Sequence, residues 1–147
     1  MKIAITSAVF DSDAELAAFS AQKDNSGALV SFTGICRSDD GAIKHLELQH
    51  YPGFTEAEIA RLAGEAAQRH QLLDLLVIHR VGIVPAGETI VLVAARAIHR
   101  TAAFNAVSEL MDALKTDAPV WKRELGASGA RWIEPTASDC ARREARK

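Results

Sequence analysis

The sequence predicts an α+β fold, a mostly antiparallel sheet with flanking helices. Three observations carry this expectation. Strand-like runs and amphipathic helical stretches follow one another in an irregular order, without the strict strand–helix alternation of a parallel sheet. The two strongest strand patterns, 73–81 and 89–98, are joined by a short turn through Pro85-Ala86-Gly87, as in a hairpin. The chain has 147 residues, 48% of them hydrophobic, which suits one domain whose core needs neither disulfides nor a structural metal.

Each element has its own signal. Ile3, Ile5 and Val9 alternate across residues 1–10, which predicts a strand. Ser12 followed by Glu15 is a capping-box pattern opening a helix to about residue 22, and Asp24-Asn25-Ser26-Gly27 is a turn. The apolar run 28–35 predicts a central strand, with Gly34 marking a bulge or a close backbone approach. A polar loop, 36–41, leads to a strand over 42–51 that is placed to pair back antiparallel. Pro52-Gly53 breaks it, and Thr55 with Glu58 opens a helix whose apolar face is Ile59, Leu62, Ala63 and Ala66. Thr101 is positioned to cap a third helix with Phe104, Val107, Met111 and Leu114 at helical spacing. After Pro119, the segments 120–124 and 131–134 are short enough for edge strands. Residues 1–140 are expected to form a single domain and the charged tail, 141–147, to fray.

Composition narrows the function. Only 5% of residues are aromatic and the net charge is −2, which argues against a nucleic-acid binder. Cys36 and Cys140 stand far apart with no histidine at ligand spacing, so neither a zinc site nor a disulfide framework is expected. There is no signal-peptide pattern at residues 1–10 and no apolar run long enough to span a bilayer. A soluble cytoplasmic protein with reduced thiols is the expectation. The charge is uneven, however: residues 1–95 carry a net −5 and residues 96–147 a net +3, which suggests an anionic ligand in the last third.

The candidate cations follow from spacing. Lys115 falls on the stripe of Phe104 and Met111, so it must snorkel out, meet an anion or lose its proton; otherwise it serves the helix C-terminus. Lys122 shares a strand face with Val120 and Glu124. With Arg123 behind it, it could join Lys115 in a pocket for a phosphate or carboxylate, or pair with Glu124 on a solvated edge. His99-Arg100 precedes a helix start, where free N–H groups favour an anion; the alternative is a strand end and a solvated arginine. Arg37 leaves the 28–35 strand and could reach a ligand there. His79-Arg80 is read as structural, His45 and His50 as strand-surface residues, and His70 as a helix-end residue. A phosphate-ester hydrolase lacks an obvious nucleophile–base pair, Cys36 having no identifiable partner.

Taken together, the segments GALVSFTGICR, LELQHYPGFTE, VIHRVG, AIHRTAAFNAV and MDALKTDAPVWKRE resemble, in this order and spacing, the large catalytic subunit of molybdopterin synthase. The resemblance runs from about Gly27 to Glu134. It implies an α/β-hammerhead-like fold and a sulfurtransferase of molybdenum-cofactor biosynthesis. Such enzymes convert cyclic pyranopterin monophosphate to molybdopterin, with sulfur from the thiocarboxylated C-terminal Gly-Gly of a small ubiquitin-like subunit. A central homodimer with one small subunit at each end, a heterotetramer, is implied, as are the absence of a cofactor and of a metal in sulfur transfer. Carried onto this chain, Lys115 and Lys122 match the catalytic lysines. Arg37, His99 and Arg100 match substrate-pocket residues, and Arg123 and Glu124 lie in the stretch bordering the substrate. One departure is that Pro135-Thr136 stands where some members carry an arginine reaching the neighbouring protomer's pocket; Arg131 is a candidate replacement. The alternative is a non-catalytic module binding a Gly-Gly-tailed partner, which the joint presence of both lysines, the His-Arg pair and Arg37 disfavours.

Overall fold

In the computed structural model, which describes residues 1–146, the chain folds as β1 (Lys2–Thr6), α1 (Ser12–Ser20), β2 (Ala28–Ile35), β3 (Ile43–His50), α2 (Phe54–Arg69) and β4 (Asp74–Arg80). It continues through β5 (Gly82–Pro85), β6 (Thr89–Ala97), α3 (Arg100–Thr116), β7 (Val120–Gly126), β8 (Gly129–Ile133) and α4 (Ala137–Glu144). The strands form two four-stranded sheets, β1-β4-β6-β2 and β5-β3-β7-β8, antiparallel except for the β1–β4 pair. The α+β class expected from the sequence is the one observed.

The long apolar runs of β4 and β6 follow from burial on both faces. Leu75, Val77, Val93 and Ala95 point to one side, against Ile59, Leu62 and Ala63 of α2 and Ala106 and Leu110 of α3. Leu76, Ile78, Leu92 and Ala94 point to the other, against Phe19 of α1. Each leucine buried in this way contributes roughly 1.5–3 kcal/mol of transfer free energy. The second sheet has its own cluster of Cys36, Leu46, Leu48 and Val84. Ile90 packs against the clusters of both sheets and joins them.

Several expectations are corrected. Residues 28–35 are an edge strand, paired only with β6, and they keep Leu29, Phe32 and Ile35 exposed. The register shift at Gly34 is the expected bulge, and a Cβ there would sit 2.7 Å from Val91 Cγ1. β3 does not turn back on β2; it enters the second sheet between β5 and β7. β4 and β6 pair antiparallel as expected, but between them four residues cross over as β5. β7 is an interior strand, flanked by β3 and β8, so only 131–134 matches its expected edge position. Helix starts are displaced by a residue or two: Asp11 caps α1, Glu56 accepts from the Gly53 N–H at α2, and His99 is the N-cap of α3. Phe104 is 59% exposed, while Val107 and Leu114 are buried as expected and Leu110 joins them on the buried face.

Residues 141–144, part of the stretch expected to fray, belong to helix α4. Thr136 and Asp139 form a reciprocal capping box, with Thr136 N donating to Asp139 Oδ2 at 2.9 Å and Asp139 N to Thr136 Oγ1 at 3.2 Å. The basic residues of α4 and its end then pair with acids of α3 and its cap, Arg143 with Asp117 at 2.7 Å and Arg146 with Asp112 at 2.9 Å. Helical spacing separates the like charges, and Arg142, Arg143 and Arg146 each find an acidic partner. Lys147 lies outside the described residues. Among the described residues, no helix is long and apolar enough to cross a membrane.

Candidate active site

The site begins where α3 ends. Thr55, fully buried, accepts from Tyr51 N at 2.9 Å and donates to the Pro119 carbonyl at 3.1 Å. That pin fixes the link between α3 and β7, and so sets Lys115 on the last turn of the helix against Lys122 on the strand. The two lysines line two cavities in common. One, about 360 Å³, is walled by Pro119, Trp121, Ile133 and Glu134; the other, about 220 Å³, by Phe32, Gly34, His79 and Met111. The lysine pair therefore stands at the junction of two spaces, one opening beside the second sheet and one beside the β2 edge.

Their environments differ. The Lys115 ammonium reaches the surface and meets Asp139 Oδ2 at 2.8 Å. Lys122 is partly buried, and among the described residues no carboxylate lies within ion-pair distance of it. Burial, and then the positive charge of Lys115, push the Lys122 ammonium below the ordinary lysine value, with Asp139 opposing them. Asp139 itself is 2% exposed, and its contacts with Lys115 and Thr136 hold it far below the usual carboxylate range. The sequence offered Lys122 a Glu124 partner, but Glu124 instead pairs with Arg131 at 2.8 Å.

His79 was read as structural and is found in the wall of the smaller cavity. It is 4% exposed, with Nδ1 at 2.7 Å from the Arg80 carbonyl, a contact that makes Nδ1 the protonated nitrogen and Nε2 the acceptor. Burial pushes its pKa down to about 4, against the carbonyl contact, and the Lys122 charge lowers it further. The unfolded-state value, near 6.5, lies above this, so the unfolded chain takes up the proton first. The contribution of neutral His79 to stability is thus complete above about pH 6.5 and is lost as pH falls toward about 4, a change of about 3 kcal/mol. Urea unfolding followed across that window is expected to show this loss, and a His79→Phe variant is expected to flatten it.

The remaining sequence candidates divide by position. Arg37 lies at the end of β2 nearest the lysines; Ile35, two residues before it, lines the smaller cavity, while Arg37 itself is exposed and 3.6 Å from Asp39. His99 and Arg100 are exposed at the opposite end of α3. Fifteen residues of helix separate Arg100 from Lys115, about 22 Å along the axis, so one chain does not bring them together. Arg123 points away from the pair, bonded to Glu47 at 3.0 Å and stacked 5.4 Å from the Trp132 ring centre. Arg131 is held by Glu124, and Thr136 caps α4. Asp139 and His79 are the site residues that sequence reasoning missed. For Asp139 the signal was present, a Thr followed three residues later by an acid; for His79, burial beside a lysine has no local signature.

Two lysines in contrasting environments thus stand between two cavities on a two-sheet α+β scaffold. The chain belongs to the MoaE protein family, whose model matches residues 5–117. The Caulobacter vibrioides molybdopterin synthase catalytic subunit is 46% identical over 139 residues, covering 95% of this chain and 93% of that one. The solved molybdopterin biosynthesis MoaE protein of Burkholderia ambifaria has a TM-score of 0.79 at 39% identity, covering 96% of both chains. A chain of the Helicobacter pylori protein–protein complex of subunits 1 and 2 of molybdopterin-converting factor shares the fold, with a TM-score of 0.74 at 23% identity over 92% of this chain and 90% of that one.

Proposed function

We propose that the chain is the catalytic subunit of a molybdopterin synthase, converting cyclic pyranopterin monophosphate to molybdopterin in the cytoplasm. Sulfur would come from the thiocarboxylated C-terminus of a small ubiquitin-like subunit. The observation that carries this reading is the lysine pair at the junction of two cavities. A reaction between a protein tail and a small phosphorylated substrate needs two approaches to one point, and both cavities end on Lys115 and Lys122. The larger cavity suits the incoming tail. The smaller, beside β2 and Arg37, suits the pterin and its phosphate. The Lys115 ammonium stabilises negative charge as the thiocarboxylate enters and as charge develops on the substrate. Lys122, its ammonium pushed below the ordinary lysine value by burial, is the lysine that gives up a proton more readily than a free one and can take it back during the reaction.

The placement of His99 and Arg100 supports a homodimer. The edge of β2 is long and leaves Leu29, Phe32 and Ile35 exposed, with Ile98 and Phe104 also exposed close by in sequence to the far end of α3. Such an edge is a template for a second strand. If two β2 edges meet antiparallel about a two-fold axis, the start of one strand lies beside the end of the other, a strand length of about 24 Å away. That displacement matches the length of α3 between Arg100 and Lys115. The partner's His99-Arg100 would then complete the anion site beside Arg37, with one small subunit at each end of the dimer. The reading is tested by supplying the chain with cyclic pyranopterin monophosphate and a thiocarboxylated small subunit and assaying for molybdopterin.

A further inference from the structure

Asp139 is a buried acid that neither the expected chemistry nor the expected binding residues include. It is the third residue of α4, and the capping box aims it: Thr136 donates to Oδ2 through both N, at 2.9 Å, and Oγ1, at 2.7 Å. Arg142 bonds Oδ1 from the next turn, and Lys115 Nζ completes the set on Oδ2 at 2.8 Å. The carboxylate is 2% exposed, while half of the Lys115 side chain remains accessible. A buried carboxylate held by three fixed donors is rigid, and a flexible lysine salt-bridged to it becomes rigid with it. The helix carrying Asp139 is anchored on α3 by Arg143 to Asp117 and by Arg146 to Asp112, so the anchor and the lysine move together.

We infer that Asp139 is a positioning residue: its buried carboxylate fixes the Lys115 ammonium as the standing cation of the pair and leaves Lys122, which has no counter-ion among the described residues, as the lysine that exchanges a proton. This rests on the reading of the lysine pair given above. The charged and titratable groups around Lys122 are Lys115 from α3, Asp139 from α4, His79 from β4, and Asp117 and Glu134 on the rim of the larger cavity. Buried His79 is neutral, so Lys115 and Asp139 dominate the local field. The direction of the Lys122 shift agrees with this division.

The test is an NMR titration of the lysine Cε and Nζ signals in the full chain, which needs neither substrate nor partner. In the unmodified protein Lys122 is expected to titrate below ordinary lysines. Asp139→Asn unscreens the Lys115 charge and is expected to move Lys122 further down, whereas Asp139→Glu keeps it near its original position. Lys115→Gln removes the like charge and is expected to move Lys122 up, an outcome that does not depend on Asp139→Asn folding. In turnover, Asp139→Asn is expected to shift the pH profile of kcat in step with Lys122 and to leave KM for the small subunit unchanged. A Lys122 titration unmoved by Asp139→Asn in a folded chain, or unmoved by Lys115→Gln, overturns the inference. Expected titrations without any molybdopterin from the unmodified protein would instead refute the functional reading and leave the Asp139–Lys115 coupling standing.

Discussion

Replacing Lys115 by alanine is expected to lower molybdopterin formation at least about a hundredfold, the order of loss seen when a donor to developing negative charge is removed. The variant should remain folded. Lys115 lies on the last turn of α3 with half its side chain exposed, and alanine is at least as favourable in a helix. Asp139 keeps its bonds to Thr136 and Arg142, so the buried carboxylate is not stranded. Both cavities also keep their other walls. Steady-state assays of the folded variant, with binding of the small subunit measured in parallel, check the expectation: activity falls while the partner still binds. Lys115→Arg separates charge from proton exchange, since arginine keeps the charge and does not give up its proton. Retained activity in that variant is expected if Lys115 acts as a standing cation.

The second large effect concerns the two halves of the site. Arg100→Ala and Lys115→Ala are each expected to be nearly inactive alone. Mixed and allowed to exchange protomers, they are expected to recover about a quarter of the unmodified activity. Half of the dimers formed at random are mixed, and each mixed dimer carries one site with an intact Lys115 from one protomer and an intact Arg100 from the other. The expectation follows from α3, whose length keeps Arg100 and Lys115 of one chain at opposite ends. If the residues served the same site within one chain, mixing would restore nothing. Activity measured before and after exchange distinguishes the two arrangements.

Much of this site was legible in the sequence because it depends on local geometry. Helical angle placed Lys115 near the Met111 side of α3, strand alternation separated Lys122 from Arg123, and both lysines do line the smaller cavity with Met111. The glycine of β2 likewise announced its bulge. What sequence reasoning misjudged depends on long-range partners. A strand at 28–35 followed after a short loop by one at 43–50 reads as a hairpin, and nothing local shows that they belong to different sheets. β5 is four residues long, too short to interrupt the hairpin pattern on either side of it. Phe104 has helical spacing with Val107 yet faces solvent, because the apolar stripe of α3 is wider than the face that β2 and β6 cover. The arginines of the tail looked solvated because their acidic partners, Asp112 and Asp117, lie some thirty residues earlier.

The central claim is that sulfur passes from a partner's tail to a pterin at the lysine pair. A single-turnover experiment with a small subunit carrying an isotopically labelled thiocarboxylate tests it most directly. The chain, cyclic pyranopterin monophosphate and the labelled subunit are combined, and the label is followed by mass spectrometry. The expected result is two labelled sulfurs in each molybdopterin formed and an ordinary carboxylate on each spent tail, with both signals absent for Lys115→Ala. Label remaining on the tail, or released as free sulfide without a sulfur-bearing pterin while the unmodified complex is fully assembled, would contradict the account.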